Sequence, residues 1–305
     1  MKQNKKILLT GSSGFIGTEL RKVHPSQFRI VSRKNEVVDS FKIDNIDSKT
    51  NWDGAFDNVD CIIHLAGLAH SPNFNAEDYI EVNTLGTLKL AKDAINAGVK
   101  RFVFVSSIGV NGSKTVTFPF TSSSKAVPHN SYTLSKLKAE QGLLEMAKDT
   151  DLEVVIVRPT LVYGLNAPGN FGLLMKLIKK SPILPFALVE NKRSFISVHN
   201  LCELLLLCAN SSSAAGHIFL ASDGKAISTK EFTNQIANGL GKSIYQLPIP
   251  IWCMRLGVTL LGKKSMAEQL FDNLEVDSSD TFDVLNWTPS YTMEQTMSIL
   301  SEGKK

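Results

Sequence analysis

Ser107, Tyr132 and Lys136 are the residues of this 305-residue chain whose types and spacing best suit proton transfer at an alcohol or carbonyl oxygen. Tyr132 and Lys136 stand four apart in Tyr132-Thr133-Leu134-Ser135-Lys136, so a helix there turns both side chains to one face. Asn130 and Ser131, both good caps, mark where such a helix starts. A free phenol has a pKa of about 10 and is a poor base at neutral pH. An adjacent ammonium and a nearby oxidised nicotinamide would each favour phenolate and bring the group into working range. A YxxxK spacing alone is common by chance. Ser107 adds to it by closing the apolar run Phe102–Ser106, where its hydroxyl could hold a substrate oxygen beside the phenol. Ordinary strand-end capping would explain Ser106-Ser107 equally well.

A second constellation precedes these. Thr10-Gly11-Ser12-Ser13-Gly14-Phe15-Ile16-Gly17 follows an apolar run and opens a helical pattern. Gly11 permits a tight turn, Gly14 lets backbone approach a pyrophosphate, and Gly17 lets helix and strand pack closely. The helix N-terminus then offers free N–H groups and a positive dipole end to phosphates. Ser13, Phe15 and Ile16 belong to the same loop and are placed on the dinucleotide with it. In a dinucleotide site an acid after the second strand takes the adenosine ribose hydroxyls. Here that strand ends in Ser32-Arg33-Lys34, with no acid. A carboxylate would repel a 2′-phosphate, whereas Arg33 could clamp one, so this end suits NADP better than NAD. Arg33 stacked on adenine or facing solvent is the competing reading. Asp44 could accept from the adenine amino group, or be a surface acid. Leu65-Ala66-Gly67 ends another apolar run with small residues that would let backbone lie against the cofactor ribose.

The elements that must position these groups alternate. Apolar runs lie at Lys6–Thr10, Phe28–Ser32, Cys61–Ala66, Phe102–Ser106 and Val154–Arg158, separated by helical stretches at Gly14–Val23, Ala76–Ala97 and Tyr132–Ala147. Continuous rather than alternating Val/Ile/Leu runs predict strands buried on both faces, hence βαβ units and a doubly wound parallel sheet, an α/β Rossmann arrangement. After Gly164 a loop-rich stretch surrounds a helix at Phe171–Lys180. A strand at Arg193–Val198, a helix at Leu201–Ala209 and a strand at His217–Ala221 could then return to the main sheet. Helices dominate from Thr229, the last being Thr292–Leu300. The expected division is a dinucleotide domain of residues 1–165 plus about 193–221. A smaller, mainly helical substrate domain of residues 166–192 and 222–305 would cover the carboxyl ends of the strands.

Composition narrows the setting. The 33 basic and 29 acidic residues are spread along the chain, too diffusely to argue for nucleic acid as a partner. No transmembrane segment is expected, since no uncharged apolar run reaches about 18–20 residues. Leu247–Gly262 comes nearest, but Pro248, Pro250 and Arg255 interrupt it. It reads as an amphipathic helix over a core, with a peripheral contact on the inner membrane as the alternative. Cys61, Cys202, Cys208 and Cys253 form no CxxC pair and have no histidines at zinc spacing, so no metal is expected. Reduced, mostly buried thiols in a cytoplasmic protein are the natural reading.

Taken together, a glycine loop, a strand-end serine and a YxxxK helix in this order are specific. The chain resembles an extended short-chain dehydrogenase/reductase of the NAD-dependent epimerase/dehydratase family, which includes UDP-glucose 4-epimerases. The likeness spans about residues 5–300. It is carried by TGSSGFIG (10–17), HLAG (64–67), VNTLGT (82–87), SSIGVNG (106–112), YTLSK (132–136), RPTLVYG (158–164), RSFISVHNL (193–201) and LNWTP (285–289). The resemblance implies Tyr132 as acid/base, Lys136 as its electrostatic partner and ribose ligand, and Ser107 as donor to the substrate oxygen. Asn83 matches the family asparagine that helps order the site, although an asparagine near a helix start is also a plain cap. Pro159 and Val162 are implied as cofactor contacts. Asn170 and Arg193 are implied as contacts of a nucleoside diphosphate, for which a guanidinium is well suited. The second phosphate-binding arginine of many epimerases is missing from Leu274–Ser279. A homodimer through Ala76–Ala97 and Tyr132–Ala147 would be common in the family.

The reaction can be narrowed by matching. Dehydratases of the family need a carboxylate pair just after the strand-end Ser/Thr, and here Ile108 and Gly109 follow Ser107, so elimination of water is disfavoured. Oxidoreduction at C4 of a UDP-hexose or UDP-N-acetylhexosamine is expected. Arg33 tips the reading toward a 4-keto-sugar reductase of surface-polysaccharide biosynthesis, with a 4-epimerase that retains NAD as the alternative. Sugar–polyprenol diphosphates are a further carrier class. A redox-sensing regulator that binds NADP without turnover is a third reading, against which the intact Ser107/Tyr132/Lys136 set stands.

Overall fold

The computed structural model describes residues 6–33, 40–69, 73–260, 262 and 264–304. Its eleven strands in chain order are β1 (Lys6–Thr10), β2 (Phe28–Ser32), β3 (Ser40–Lys42), β4 (Val59–His64), β5 (Arg101–Val105) and β6 (Glu153–Pro159), then β7 (Leu161–Tyr163), β8 (Ile183–Leu184), β9 (Phe195–Ser197), β10 (Ile218–Ala221) and β11 (Tyr245–Gln246). The helices are α1 (Phe15–Val23), α2 (Ala76–Tyr79), α3 (Thr87–Asn96), α4 (Ser131–Lys148), α5 (Gly169–Lys180) and α6 (Val198–Asn210). They continue as α7 (Thr229–Gly239), α8 (Ile251–Leu260), α9 (Lys264–Phe271), α10 (Ser279–Leu285) and α11 (Met293–Ser298).

Seven parallel strands form one sheet in the order β10-β6-β5-β4-β1-β2-β3. The continuous apolar runs read from the sequence are the reason. Every residue of β5 is buried, and so is all of β6 beyond Glu153. Such strands need a cover on both faces. Leu20 of α1 and Leu201, Leu204, Leu205 and Cys208 of α6 cover one face. Leu90, Ala91 and Ala94 of α3 with Ala139 and Leu143 of α4 cover the other. This is the doubly wound α/β fold expected. A third apolar cluster lies apart, with Phe171 of α5, Phe195 of β9 and Phe232 of α7 in it. Phe195 and Phe232 stack with ring centroids 3.9 Å apart.

Two expectations change. The strand expected at Arg193–Val198 does not return to the main sheet: β9 pairs with β7, register Leu161↔Phe195, in a separate two-stranded sheet. The backbone of Arg193 bridges Ile227 and Leu274, which draws this strand toward the C-terminal part of the chain. The helix α6 and the strand β10 that follow do return. The helix expected over Ala76–Ala97 is split, because a seven-residue π-helical stretch, Ile80–Gly86, separates α2 from α3. Widened turns of this kind are rare and cluster at functional sites.

One buried ion pair joins the parts that matter below. Arg158 of β6 donates from Nε to Glu140 Oε1 at 3.0 Å and from Nη2 to Oε2 at 2.5 Å, with α4 carrying the glutamate. Its Nη1 donates to Asn111 Oδ1 at 3.0 Å, just after β5. The two charged side chains are 5% and 2% exposed. Removing one partner strands the other charge in a low-dielectric interior. Arg158→Met should therefore lower unfolding free energy by about 3–5 kcal/mol, read by urea titration. Adding Glu140→Leu should restore most of it; a double variant no better than the single one would show that the pair is not the cause.

Candidate active site

The glycine loop has the geometry its spacing predicts. Gly11 has φ +70°, and a Cβ there would stand 2.8 Å from the Ala66 nitrogen, so the end of β1 lies directly against the end of β4. A Cβ at Gly17 would fall 2.3 Å from the Gly11 oxygen, which is why α1 can start so close to the turn. Ser13 and Gly14 are exposed. No side chain caps α1 and no acid sits in its first turn, so its N-terminal N–H groups are left for an anion. A cavity of about 350 Å³ opens there, lined by Gly11, Gly14, Phe15, Ile16, Gly17 and Leu65 from this side and by Leu161, Val162, Pro168, Asn170 and Phe171 from the other. A dinucleotide phosphate group fits this cradle of bare backbone and small residues.

Further along the sheet edge, Ser32 ends β2 and Arg33 is exposed just beyond it. Lys34 lies outside the described residues. Ile43 donates to the Ser32 carbonyl at 3.0 Å, and Asp44 follows, exposed. Pro159 is buried at the end of β6.

The three candidate catalytic residues do come together. Asn130 caps α4 with a reciprocal capping box: its side chain accepts from the Thr133 N–H at 2.9 Å, and Thr133 Oγ1 accepts from the Asn130 N–H. That places Tyr132 in the first turn and Lys136 one turn on. The Ser107 side chain is near enough to the Tyr132 phenol to act on it as a hydrogen-bonding neighbour that favours its ionised form. Lys136 Nζ donates to the Val105 carbonyl at 3.0 Å and sits 4.7 Å from the centre of the Phe104 ring. A Cβ on Gly67 would lie 3.4 Å from that ammonium, so Gly67 leaves the space beside it open.

The electrostatics differ from the expectation. Burial pushes the Tyr132 phenol up to about 12, and the Ser107 hydrogen bond opposes this only partly. Lys136 is itself pulled down to about 8 by burial, with Glu140 working the other way. Burial thus holds the phenol protonated in the protein alone, while the Lys136 ammonium gives its hydrogen bond to a backbone carbonyl.

Asn83 takes a different role from a cap. It lies inside the π-helical stretch, fully buried, and its Oδ1 accepts from the Leu68 N–H at 2.7 Å. Its Nδ2 donates to the Leu68 carbonyl and to Ser135 Oγ, each at 3.1 Å. Its amide is committed to the loop after β4 and to α4, beside Gly67.

Sequence reasoning missed His64. The ring bridges Thr10 Oγ1 (2.7 Å from Nδ1) and Thr87 Oγ1 (2.9 Å from Nε2). Thr87 Oγ1 donates to the Asn83 carbonyl, and Thr10 Oγ1 accepts from the Ala66 N–H. Thr87 spends its proton on the Asn83 carbonyl, so Nε2 is the donor to Thr87, and a neutral ring then accepts from Thr10 at Nδ1. Burial, and secondarily Lys136, lowers its pKa to about 3, in agreement. The chain links the ends of β1 and β4 to the π-helical stretch. Only the HLAG motif hinted at it.

A second cavity, of about 150 Å³, shares Leu161 and Asn170 with the first and is lined mostly by apolar side chains of α5, α7 and α9. Arg193 borders it, 8% exposed, donating from Nη1 to the Asp272 carbonyl at 2.9 Å. Burial lowers its pKa to about 10, still a cation at neutral pH. The Asp272 carboxylate is taken by Arg255 at 2.5 Å instead. Asn170 is exposed at the start of α5 and bonds Gln269 of α9.

Comparisons with known proteins agree with this geometry. The profile of the NAD dependent epimerase/dehydratase family matches residues 7–221, which hold nearly the whole seven-stranded sheet. The UDP-glucose 4-epimerase of Vibrio cholerae is 41% identical over 96% of this chain and 94% of its own length. A Bordetella bronchiseptica enzyme solved with NAD and UDP superposes with a TM-score of 0.75 at 20% identity, over 99% of this chain and 94% of that one. The Pseudomonas aeruginosa enzyme RMD, solved with NADPH, gives 0.74 at 19% identity over 98% of both chains.

The lysine shift carries a consequence for stability. With a pKa of about 8 folded against 10.5 unfolded, Lys136 binds fewer protons in the folded chain between those values, so stability rises with pH through that window. Lys136→Met should therefore be more stable than the parent at neutral pH, on the order of 1–3 kcal/mol, with the gap closing toward pH 10.5. Thermal unfolding across that range measures it, and a pH-independent difference would contradict the shift.

Proposed function

This chain belongs to the NAD-dependent epimerase/dehydratase family, and we propose that it catalyses oxidoreduction at C4 of a UDP-hexose or UDP-N-acetylhexosamine. The observation that carries the reading is the Tyr132 phenol with the Ser107 side chain as its neighbour and the Lys136 ammonium one helical turn away, beside the open edge at Gly67. When bound, the nicotinamide takes up the C4 hydrogen with its electron pair or returns it. The protein's share is the proton. Tyr132 removes it from the C4 hydroxyl as the carbonyl forms and gives it back on the return, while Ser107 donates to the C4 oxygen and keeps it aimed at the phenol. Lys136 is the cation that favours phenolate and the donor that faces the cofactor ribose. Since the protein alone holds the phenol protonated, the base is unmasked only when a further positive charge enters the site. Arg193, a buried guanidinium free of direct carboxylate pairing, and Asn170 are assigned to the diphosphate.

Two outcomes of this chemistry differ in what becomes of the coenzyme. The sequence leaned to reduction of a 4-keto sugar. The Vibrio cholerae relative, a UDP-glucose 4-epimerase 41% identical to this chain, favours 4-epimerisation and moves that reading into first place. The reductase reading keeps one specific support, the exposed Arg33 at a strand end that carries no acid, which suits the 2′-phosphate of NADPH.

Tyr132→Phe should cut turnover by about 10²–10⁴ with coenzyme affinity nearly unchanged; undiminished turnover would remove Tyr132 as the acid/base. Mass spectrometry separates the two outcomes. Interconversion of C4 epimers without added coenzyme, and NAD released on denaturation, support the epimerase. Consumption of NADPH with a UDP-4-keto-6-deoxy sugar, lost in Arg33→Asp, supports the reductase. No conversion under either condition would overturn the C4 assignment.

A further inference from the structure

The helix α8 is apolar on both sides. Ile251, Met254 and Val258 pack against the third apolar cluster. On the opposite face Trp252, Leu256 and Leu260, spaced four apart, are 69%, 55% and 79% exposed. The helix has no buried residue, and its one charged side chain, Arg255, is drawn to Asp272 and the Phe271 ring. A helix hydrophobic all round belongs in an apolar surrounding, not in water. Just before it on the chain, Tyr245 and Ile183 are register partners of β11 and β8, and both are exposed, at 65% and 51%. Five large apolar side chains exposed on α8 and the β8–β11 edge are more than the single scattered apolar residues normal for a soluble surface.

The flanking segments carry mainly basic side chains, with Asp272 already paired to Arg255. Residues 241–262 contain Lys242 and Arg255 and no acid, and residues 165–192 contain four lysines and one glutamate. On α5, which leads into β8, Lys176, Lys179 and Lys180 are exposed beside the exposed Leu173 and Leu177. Lys242 reaches the α5 end, donating to the Lys179 carbonyl at 2.5 Å. Apolar residues rimmed by lysine, with a Trp and a Tyr whose rings suit the headgroup depth, are the features of a surface that lies on anionic lipid. Ten residues make α8 about 15 Å long, half of what spans a bilayer, and no described helix is long and apolar enough to cross one. The face therefore rests on lipid and does not enter as a span.

We propose that the α8 face, with the β8–β11 edge and the lysines of α5, docks this protein on an anionic phospholipid surface. The proposal is independent of which C4 reaction the active site performs. It has a geometric corollary. Leu173 and Leu177 belong both to the exposed flank of α5 and to the lining of the apolar cavity bordered by Arg193, so that cavity opens beside the lipid-facing side.

Flotation of the full-length protein with vesicles tests this. The protein should rise with phosphatidylcholine vesicles containing phosphatidylglycerol and much less with phosphatidylcholine alone, and Trp252 emission should shift to the blue on binding. Leu256→Asp with Leu260→Asp should reduce the bound fraction at least about tenfold, while activity on a soluble UDP-sugar stays at the parent's level. Lys176→Glu with Lys180→Glu should weaken binding to the anionic vesicles only. A protein that stays at the bottom of the gradient with both vesicle types overturns the proposal. So does a leucine variant whose sedimentation coefficient drops from dimer to monomer with lipid binding unchanged, since the face would then be covered by a second copy.

Discussion

The Arg158–Glu140 pair is the interaction on which the geometry of this protein most depends. A bidentate guanidinium–carboxylate contact in a water-free interior is directional, and breaking it leaves a bare charge. Its three anchors are β6, the middle of α4 and Asn111 in the turn after β5. Tyr132 and Ser107 lie at the near ends of the same α4 and the same turn, so the pair sets the distance between the two side chains that must share one oxygen. The glutamate also supports the positive charge on Lys136, which stands one turn before it on α4. A substitution here would disturb catalytic geometry and stability together.

Around that anchor the site is built from neutral groups. His64 is kept uncharged and passes a single line of hydrogen bonds from Ala66 through Thr10 and Thr87 to the Asn83 carbonyl. Asn83 in turn grips both backbone atoms of Leu68 and the hydroxyl of Ser135, whose own proton goes to the Tyr132 carbonyl. The ends of β1 and β4, the π-helical stretch and α4 are thereby tied without a charged group among the ties. Lys136 is left as a cation one turn from Tyr132, in a place where burial pulls its pKa down to about 8 against the pull of Glu140. That cost is the signature of a group held for chemistry more than for stability.

The C-terminal half follows another logic. Its aromatic core of Phe171, Phe195 and Phe232 is packed as tightly as the main sheet, yet the surface above it is unusually apolar at α8 and basic at α5. One buried guanidinium, Arg193, stands where that half meets the cofactor cavity through the shared Asn170 and Leu161. Where many epimerases carry a second arginine, Leu274–Ser279 instead pairs its backbone with Arg193, Ser194 and Phe120. On the function proposed above, the carrier end of the substrate would meet Arg193 and an apolar wall.

How much of this was legible depended on range along the chain. The unbroken apolar runs of β5 and β6, the Gly11/Gly14/Gly17 spacing and the Tyr132–Lys136 interval are local, so the sequence alone determined the parallel sheet, the phosphate cradle and the phenol–ammonium helix. Helix periodicity could not reveal that Ala76–Ala97 widens at Ile80–Gly86, because π and α turns share the same residue preferences. Nor could it tell that Arg193–Val198 pairs with β7, since a short β run carries no label for its partner. His64 and Arg158 stand out only as members of the HLAG and RPTLVYG motifs, and Asn83 as a site-ordering residue or a plain cap, with none of their partners named. Their roles arise from partners 15 to 54 positions away, as in His64 with Thr10 and Arg158 with Asn111. The direction of the Tyr132 shift was also decided only in three dimensions, because burial, its largest cause, is a property of everything packed around a side chain.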